Sequence, residues 1–111
     1  MTIMIVDDNA IIRNLIRESF ESRYEILECE DGSEACEKYR AGSCDWVIMD
    51  VVMKPMDGFE ALEKILSYDP HARVIIITQF DDEKVRRRAT EGGAVAFLPK
   101  RDINRLEEII L

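Results

Sequence analysis

Two aspartates stand side by side at positions 7 and 8, directly after the apolar stretch 3–6, and a third, Asp50, directly follows the apolar stretch 46–49. Thr78 follows four β-branched residues, 74–77, and Lys100 follows the apolar stretch 94–98 with Pro99 between. Each has a plain explanation alone: an aspartate caps a helix, a threonine suits a strand end, and a lysine covers surface. Brought to one mouth, they demand more. Two carboxylates about 5 Å apart in a partly buried mouth repel by roughly 3 kcal/mol at an effective dielectric near 20, and three repel more. Either their pKa values rise and a proton is shared, or a cation neutralises them. An all-oxygen ligand set favours a hard divalent ion, with Mg2+ the cellular default. Beside such an ion one carboxylate can attack a phosphoryl group, while the metal and Lys100 offset charge on its oxygens. The product of that chemistry is an aspartyl-phosphate.

The elements that must position these groups alternate along the chain. After the strand at 3–6, Ile12, Leu15, Ile16 and Phe20 mark one face of a helix. A shorter, more polar strand is expected over 24–29, followed by Asp31-Gly32-Ser33 as turn and N-cap and a helix ending near Gly42. The strand at 46–49 ends at Asp50, and a helix enters through Asp57-Gly58 and closes before Pro70. Residues 74–77 are the strongest strand; Asp81 or Asp82 caps the next helix, which stops at Gly92-Gly93. The last strand is expected over 94–98, with Ile103, Leu106 and Ile110 opening a final helix. Five βα units with apolar first, third and fourth strands predict a five-stranded parallel sheet covered on both faces, an α/β doubly wound (βα)5 sandwich. The flavodoxin-like strand order 2-1-3-4-5 is expected. Pro99 suits the fifth strand to an edge, since it cannot donate to a central ladder. In open α/β sheets the ligand site lies at the carboxyl ends of the strands, where Asp7, Asp8, Asp50, Thr78 and Lys100 fall.

The 111 residues suit a single domain, 1–111, whose final helix is expected to be incomplete at Leu111. No apolar run is long enough to cross a membrane, and the N-terminus lacks a signal-peptide pattern, so a cytoplasmic setting is expected. A net charge of −8 argues against direct nucleic-acid binding. The basic run at 84–88 is expected to be a solvated helix face. Cys29, Cys36 and Cys44 form no C-x-x-C pair and are expected to be core or surface thiols, and His71 a solvated loop residue.

In its motifs the chain resembles the receiver domains of two-component response regulators. The matching segments are Val6-Asp7-Asp8-x-x-x-x-Arg13, Met49-Asp50-Val51-Val52-Met53-x-x-Met56-Asp57-Gly58, Thr78, and Gly93-Ala94-x-x-Phe97-Leu98-x-Lys100, spanning essentially the whole chain. The resemblance implies that Asp50 is the phosphoacceptor, served by a sensor histidine kinase or phosphotransfer protein. It implies that Asp7, Asp8, Asp50 and the backbone carbonyl of Val52 hold Mg2+, and that Lys100 contacts the phosphoryl oxygens. Thr78 would move to hydrogen-bond one of those oxygens, and Phe97 occupies the aromatic switch position, with ordinary edge-strand packing as the alternative. The face made by the fourth helix, fifth strand and fifth helix would then change shape to control an output domain or partner. Such a domain catalyses only its own phosphorylation and dephosphorylation and is not otherwise an enzyme. A homodimer through that face is a further expectation, with Lys84 and residues 86–88 facing Glu107 and Glu108 of a second copy.

Three departures from the family pattern carry expectations of their own. Lys54 stands where the family commonly has proline, with Pro55 next, which implies a rearranged loop. Pro99 precedes Lys100 instead of following it, so the Lys100–Arg101 bond is expected to be trans. Gln79 replaces a small residue and is expected to narrow access to Asp50. An aspartyl phosphatase would need an acid two residues after the nucleophile, where Val52 stands. A flavin-binding reading lacks a Ser/Thr/Gly-rich loop after the first strand, where Asp8-Asn9-Ala10 stands. An interaction module that keeps only the fold would be favoured by a lost site residue, and none of the five is lost.

Overall fold

In the computed structural model, which describes residues 1–42 and 44–110, the expected alternation is present. The elements are β1 (Thr2–Val6), α1 (Ala10–Phe20), β2 (Glu25–Cys29), α2 (Gly32–Ala41), β3 (Trp46–Asp50), α3 (Gly58–Tyr68), β4 (Val74–Thr78), α4 (Glu83–Glu91) and β5 (Ala96–Pro99). A 3-10 segment (Lys100–Arg105) then leads into α5 (Leu106–Ile110). The strands form one parallel sheet in the order β2-β1-β3-β4-β5. Proline-ended β5 lies at an edge, as does polar β2.

Strand alternation sends successive side chains into two separate apolar layers. Ile3, Ile5, Ile48, Ile75 and Ile77 meet Ile16, Phe20, Leu106 and Ile110 of α1 and α5. Met4, Val6, Val47, Met49, Val74 and Ile76 meet Tyr39, Leu62, Ile65 and Ala89 of α2, α3 and α4. All five residues of β3 and of β4 are buried, which accounts for their unbroken apolar runs.

The helix starts follow from side-chain chemistry. Asn9, Asp31, Asp57 and Asp82 occupy the N-caps of α1 to α4, and each side chain accepts from a backbone N–H of the first turn. Of the two candidates for α4, Asp82 is the cap, accepting from Val85 N at 2.9 Å.

Two boundaries differ from the sequence reading by more than one residue. β5 begins at Ala96 rather than 94, because the Ala94 amide donates to the Ala89 carbonyl at 3.0 Å and so closes α4. The chain turns there through Gly93 at φ 98°, a conformation that favours glycine. The final helix is preceded by 3-10 geometry: apolar residues at 103 and 106 are three apart, which suits either helix type. Leu111 lies outside the described residues.

Buried Tyr39 donates its hydroxyl to Asp69 Oδ2 at 2.7 Å, a bond from α2 to the end of α3. That bond holds the Asp69 carboxyl below the usual aspartate range. Tyr39→Phe is expected to cost about 1 kcal/mol, lowering the thermal midpoint by roughly 4–6 °C. Thermal denaturation followed by circular dichroism checks it; an unchanged midpoint would contradict the bond's importance.

Candidate functional site: an acidic mouth at the strand ends

β1 and β3 are neighbours with Val6 opposite Met49, so the next register position sets Asp7 beside Asp50. Alternation aims both away from the Met49–Val6 layer. Asp7 is fully buried and Asp50 nearly so, while Asp8 is exposed. One carboxylate oxygen from each of Asp7, Asp8 and Asp50 lies within 4.8 Å of the others.

Lys100 enters from the far edge, at the start of the 3-10 segment. Its Nζ sits 2.9 Å from Asp7 Oδ2 and 3.3 Å from Asp50 Oδ1. The contact with Asp7 Oδ2 is an ion pair off the line of a hydrogen bond, and that buried oxygen has no aligned donor among the described residues. Asp7 Oδ1, by contrast, accepts from the Asn9 amide at 2.9 Å.

Burial pushes the Asp50 carboxyl up to about 6, with the negative charge of Asp7 adding to it and Lys100 working against it. Burial works to lower the Lys100 pKa, but contact with Asp7 and the charge of Asp50 outweigh it and leave it raised. One ammonium, in contact with Asp7 and Asp50, is therefore set against a group of three carboxylates. The arrangement remains short of positive charge, and a buried oxygen without a donor is what a cation ligand needs. Asp7, Asp8 and Asp50 fit a hard divalent ion by donor chemistry and by spacing.

The remaining positions are placed as follows. Thr78 is buried at the end of β4, one register step beyond the Asp50–Ile77 pair, and its Oγ1 accepts from the Phe80 amide at 3.0 Å. Val52 lies in the loop after β3 with its side chain exposed. Phe97 is half-buried against the α2–α4 layer, with the Arg86 guanidinium 5.0 Å above its ring. Gln79 is exposed. The loop around Lys54 holds a cis Lys54–Pro55 bond, while Lys100–Arg101 is trans.

Burial pushes the Cys29 thiol up to about 12 and Cys44 to about 11, as expected of inert core thiols, and all three cysteines are free. His71 is exposed.

Several contacts near the mouth have no counterpart in the sequence reading. Asp81 does not cap α4; it bridges Arg86 at 2.6 Å and Arg101 at 2.7 Å. Arg13, known from sequence only as part of a motif, donates to the Asp7 carbonyl at 2.7 Å. Gly58 lies against the carbonyl of Asp50, and its amide donates to the Val51 carbonyl at 2.8 Å. Spacing to Asp8 or Asp57 signals the position of these residues, but not their partners.

A doubly wound parallel sheet with three carboxylates, a lysine and a threonine at its carboxyl ends defines a class of domain built around an acidic, cation-ready mouth. Comparison with known proteins narrows that class. The sequence matches the response regulator receiver domain family over residues 3–111, and the chain belongs to that family. It is 38% identical over 99 residues to the chemotaxis protein CheY of Halobacterium salinarum, across 88% of this chain and 82% of that protein. Against CheY of Bacillus subtilis the identity is 37% over 100 residues, covering 88% of this chain and 83% of that one. Among solved structures it is similar to a LuxR-family two-component response regulator from Aurantimonas sp., with TM-score 0.88 and 33% identity over 98% of this chain and 81% of that one. It is also similar to a chain of the CheX–CheY–BeF3–Mg2+ complex from Borrelia burgdorferi, with TM-score 0.85 and 27% identity over 100% and 90% of the two chains. The family is one of signalling switches rather than conventional enzymes. No helix among the described residues is long and apolar enough to cross a membrane.

Proposed function

We propose that residues 1–111 form one receiver domain in which Asp50 accepts a phosphoryl group from a phosphohistidine on a sensor kinase or phosphotransfer protein. The observation that carries this reading is the desolvated Asp50 carboxyl beside the Lys100 ammonium. Burial removes water that would otherwise blunt the carboxylate as a nucleophile, and the fixed ammonium stands ready for charge on the transferred oxygens. In the step, an Asp50 oxygen forms the new bond to phosphorus as the phosphorus–nitrogen bond breaks, and the imidazole leaves neutral, keeping the proton that the phosphohistidine carries on its other ring nitrogen. Asp7, Asp8, Asp50 and the Val52 carbonyl would hold Mg2+. Bound there, the ion supplies positive charge to the phosphoryl oxygens.

Lys100 keeps a phosphoryl oxygen paired once Asp50 is esterified. Thr78 would exchange its bond with the Phe80 amide for one with the phosphoryl group. That exchange pulls on the β4–α4 loop, where Asp81 ties Arg86 and Arg101, and so reaches Phe97 beneath Arg86. The α4–β5–α5 face would thereby be biased between two packings, to control an output domain or a partner. Phosphorylation and dephosphorylation of Asp50 are the only catalysis proposed, and a cytoplasmic setting fits a kinase substrate.

A homodimer through the same face is a second reading, but its charge pairing is altered by contacts within the chain. Arg86 is held by Asp81, Arg87 lies 3.8 Å from Glu83, and Glu107 lies 3.6 Å from Arg23. Lys84 and Arg88 are left for a second copy, and Arg88 already covers the Phe59 ring at 4.4 Å.

Incubated with a small phosphodonor and Mg2+, the protein is expected to gain the mass of one phosphoryl group, and to gain none with a chelator present. No gain by intact mass under either condition would overturn the reading. Mg2+ alone, at about a hundred-fold excess over its Kd, is expected to stabilise the fold by about 2.7 kcal/mol. Sodium chloride at matched ionic strength should not do so, and thermal melts compare the two.

A further inference from the structure

Arg13 lies on α1, outside the mouth, yet its side chain grips the backbone of the acidic pair. Its Nη1 donates to the Asp7 carbonyl at 2.7 Å, and its Nε donates to Glu28 Oε1 at 2.9 Å. The side chain is only 13% exposed, so this is not a loose surface contact. Glu28 is fixed in turn. Its Oε2 accepts from Arg17 Nη2 at 2.6 Å and Nε at 3.0 Å, and its backbone carbonyl accepts from Lys38 Nζ at 3.1 Å. Arg17, and then Arg13, hold the Glu28 carboxyl below the usual range, so it stays ionised as an anchor.

The end of β2 thus holds Asp7 by two routes. The Cys29 carbonyl accepts the Asp7 amide at 3.1 Å, and the neighbouring Glu28 reaches the Asp7 carbonyl through Arg13. The Asp7 side chain is pinned separately, by the Asn9 amide on Oδ1 and Lys100 beside Oδ2. Asp8 lies between these fixed points. We infer that Arg13 is a positioning residue for the cation site, holding the Asp7–Asp8 backbone so that the three carboxylates keep their spacing.

An arginine suits this task because its planar fork serves a carbonyl and a carboxylate together, which a lysine ammonium does not do with the same geometry. Without it, a carbonyl on a fully buried residue loses its charged donor, and the loop bearing Asp8 is freed to move. Groups that orient ligands in this way change metal affinity about 10- to 100-fold when removed. The inference rests on Asp7, Asp8 and Asp50 forming a cation site, as proposed above.

The test is calorimetric titration of Mg2+ into the full chain, with amide hydrogen exchange at Asn9 in chelator as a readout that needs no metal. Arg13→Met is expected to weaken Mg2+ about ten-fold and to speed exchange of the Asn9 amide. Glu28→Gln should move both in the same direction by about three-fold, because the arginine keeps its carbonyl but loses its ionic anchor. Arg23→Met removes an arginine that touches neither Asp7 nor Glu28, and its Mg2+ affinity should stay within about two-fold of wild type. In phosphate uptake, Arg13→Met should raise the half-saturating Mg2+ concentration while the rate at saturating Mg2+ changes little.

Wild-type Mg2+ affinity and Asn9 exchange in both Arg13→Met and Glu28→Gln would overturn the role. An equal loss in Arg23→Met would also overturn it, as the effect would then be general. Should Arg13→Met not fold, Glu28→Gln and Arg23→Met decide alone. A wild type that binds Mg2+ but takes up no phosphate fails the phosphoacceptor reading only and leaves these titrations standing.

Discussion

Asp50→Asn is expected to abolish phosphate uptake while making the metal-free protein more stable at pH 7 by about 1–3 kcal/mol. The two effects have opposite signs because they share one cause. Asp50 is buried beside Asp7, and its carboxyl is pushed up to about 6 by burial first and by that charge second. In the unfolded chain an aspartate titrates near its ordinary value of about 3.9. A carboxyl whose folded pKa is raised stabilises the fold while it is protonated, and that stability is lost as pH rises. Between about pH 4 and pH 6 the unfolded chain gives up this proton and the folded protein keeps it, so unfolding is favoured progressively. Above about pH 6 the loss is complete, and the full displacement from the ordinary value is worth about 3 kcal/mol. Asparagine removes the penalty, so the gap between variant and wild type should be full at pH 7, about half at pH 5 and gone near pH 4. Glu28, Asp69 and Asp81, all with lowered pKa values, slope the other way in both proteins and cancel in the comparison. Urea denaturation in chelator at the three pH values checks this. A gap independent of pH, or a wild type more stable than the variant at pH 7, would contradict it. Mg2+ should narrow the gap at pH 7, since it stabilises wild type more. The amide has no anionic oxygen to attack phosphorus, so the mass gain should vanish whatever the pH.

Much of this site was legible because strand ends are legible. An apolar run that stops at an acid fixes where a buried strand opens onto the mouth, as at Asp7 and Asp50, and parallel order then sets their neighbours. The helix starts were equally plain, since Asn9, Asp31 and Asp57 announce caps by residue type alone. What escaped were the individual side-chain and backbone partners that one element finds on another. Glu28 looks like a solvent-facing residue of a polar strand, and only the approach of α1 to β2 gives it Arg13 and Arg17. Asp81 and Asp82 are equal as caps until the fold draws Arg101 to one of them. The start of β5 shifted because α4 claims the Ala94 amide, a bond that apolar pattern cannot encode. The basic residues of the run 84–88 are solvated as expected, and only the fold shows that Arg86 and Arg88 also lie over the rings of Phe97 and Phe59.

Gly58 shows the same limit at the site itself, and Gly58→Ala is expected to be among the most damaging small substitutions in the chain. In sequence, Asp57-Gly58 reads as a turn entering α3, and any residue tolerant of a helix start would serve. In the fold, a Cβ at 58 would overlap the Asp50 carbonyl oxygen and stand 3.0 Å from both the Asp50 carbonyl carbon and the Val51 Cα. These are backbone atoms at the end of β3 and just beyond it, so no side-chain rotation relieves the clash. The Gly58 amide also donates to the Val51 carbonyl at 2.8 Å, and Asp57 caps α3 through the Glu60 amide at 2.9 Å. Moving position 58 outward therefore strains the loop after Asp50 and the helix cap together. We expect a loss of about 3 kcal/mol or more, and a thermal midpoint lower by roughly 10 °C or more. Phosphate uptake should slow in whatever fraction stays folded, because Asp50 and Val51 must shift. Gly42→Ala is the control: apart from its chain neighbours, none of the described residues lies within 4 Å of its added Cβ, and its φ of −173° is open to any residue. It should change stability by less than about 0.5 kcal/mol. Thermal melts of the two variants side by side decide the matter. A Gly58→Ala midpoint within a few degrees of wild type would mean that α3 does not rest on the end of β3 as closely as described.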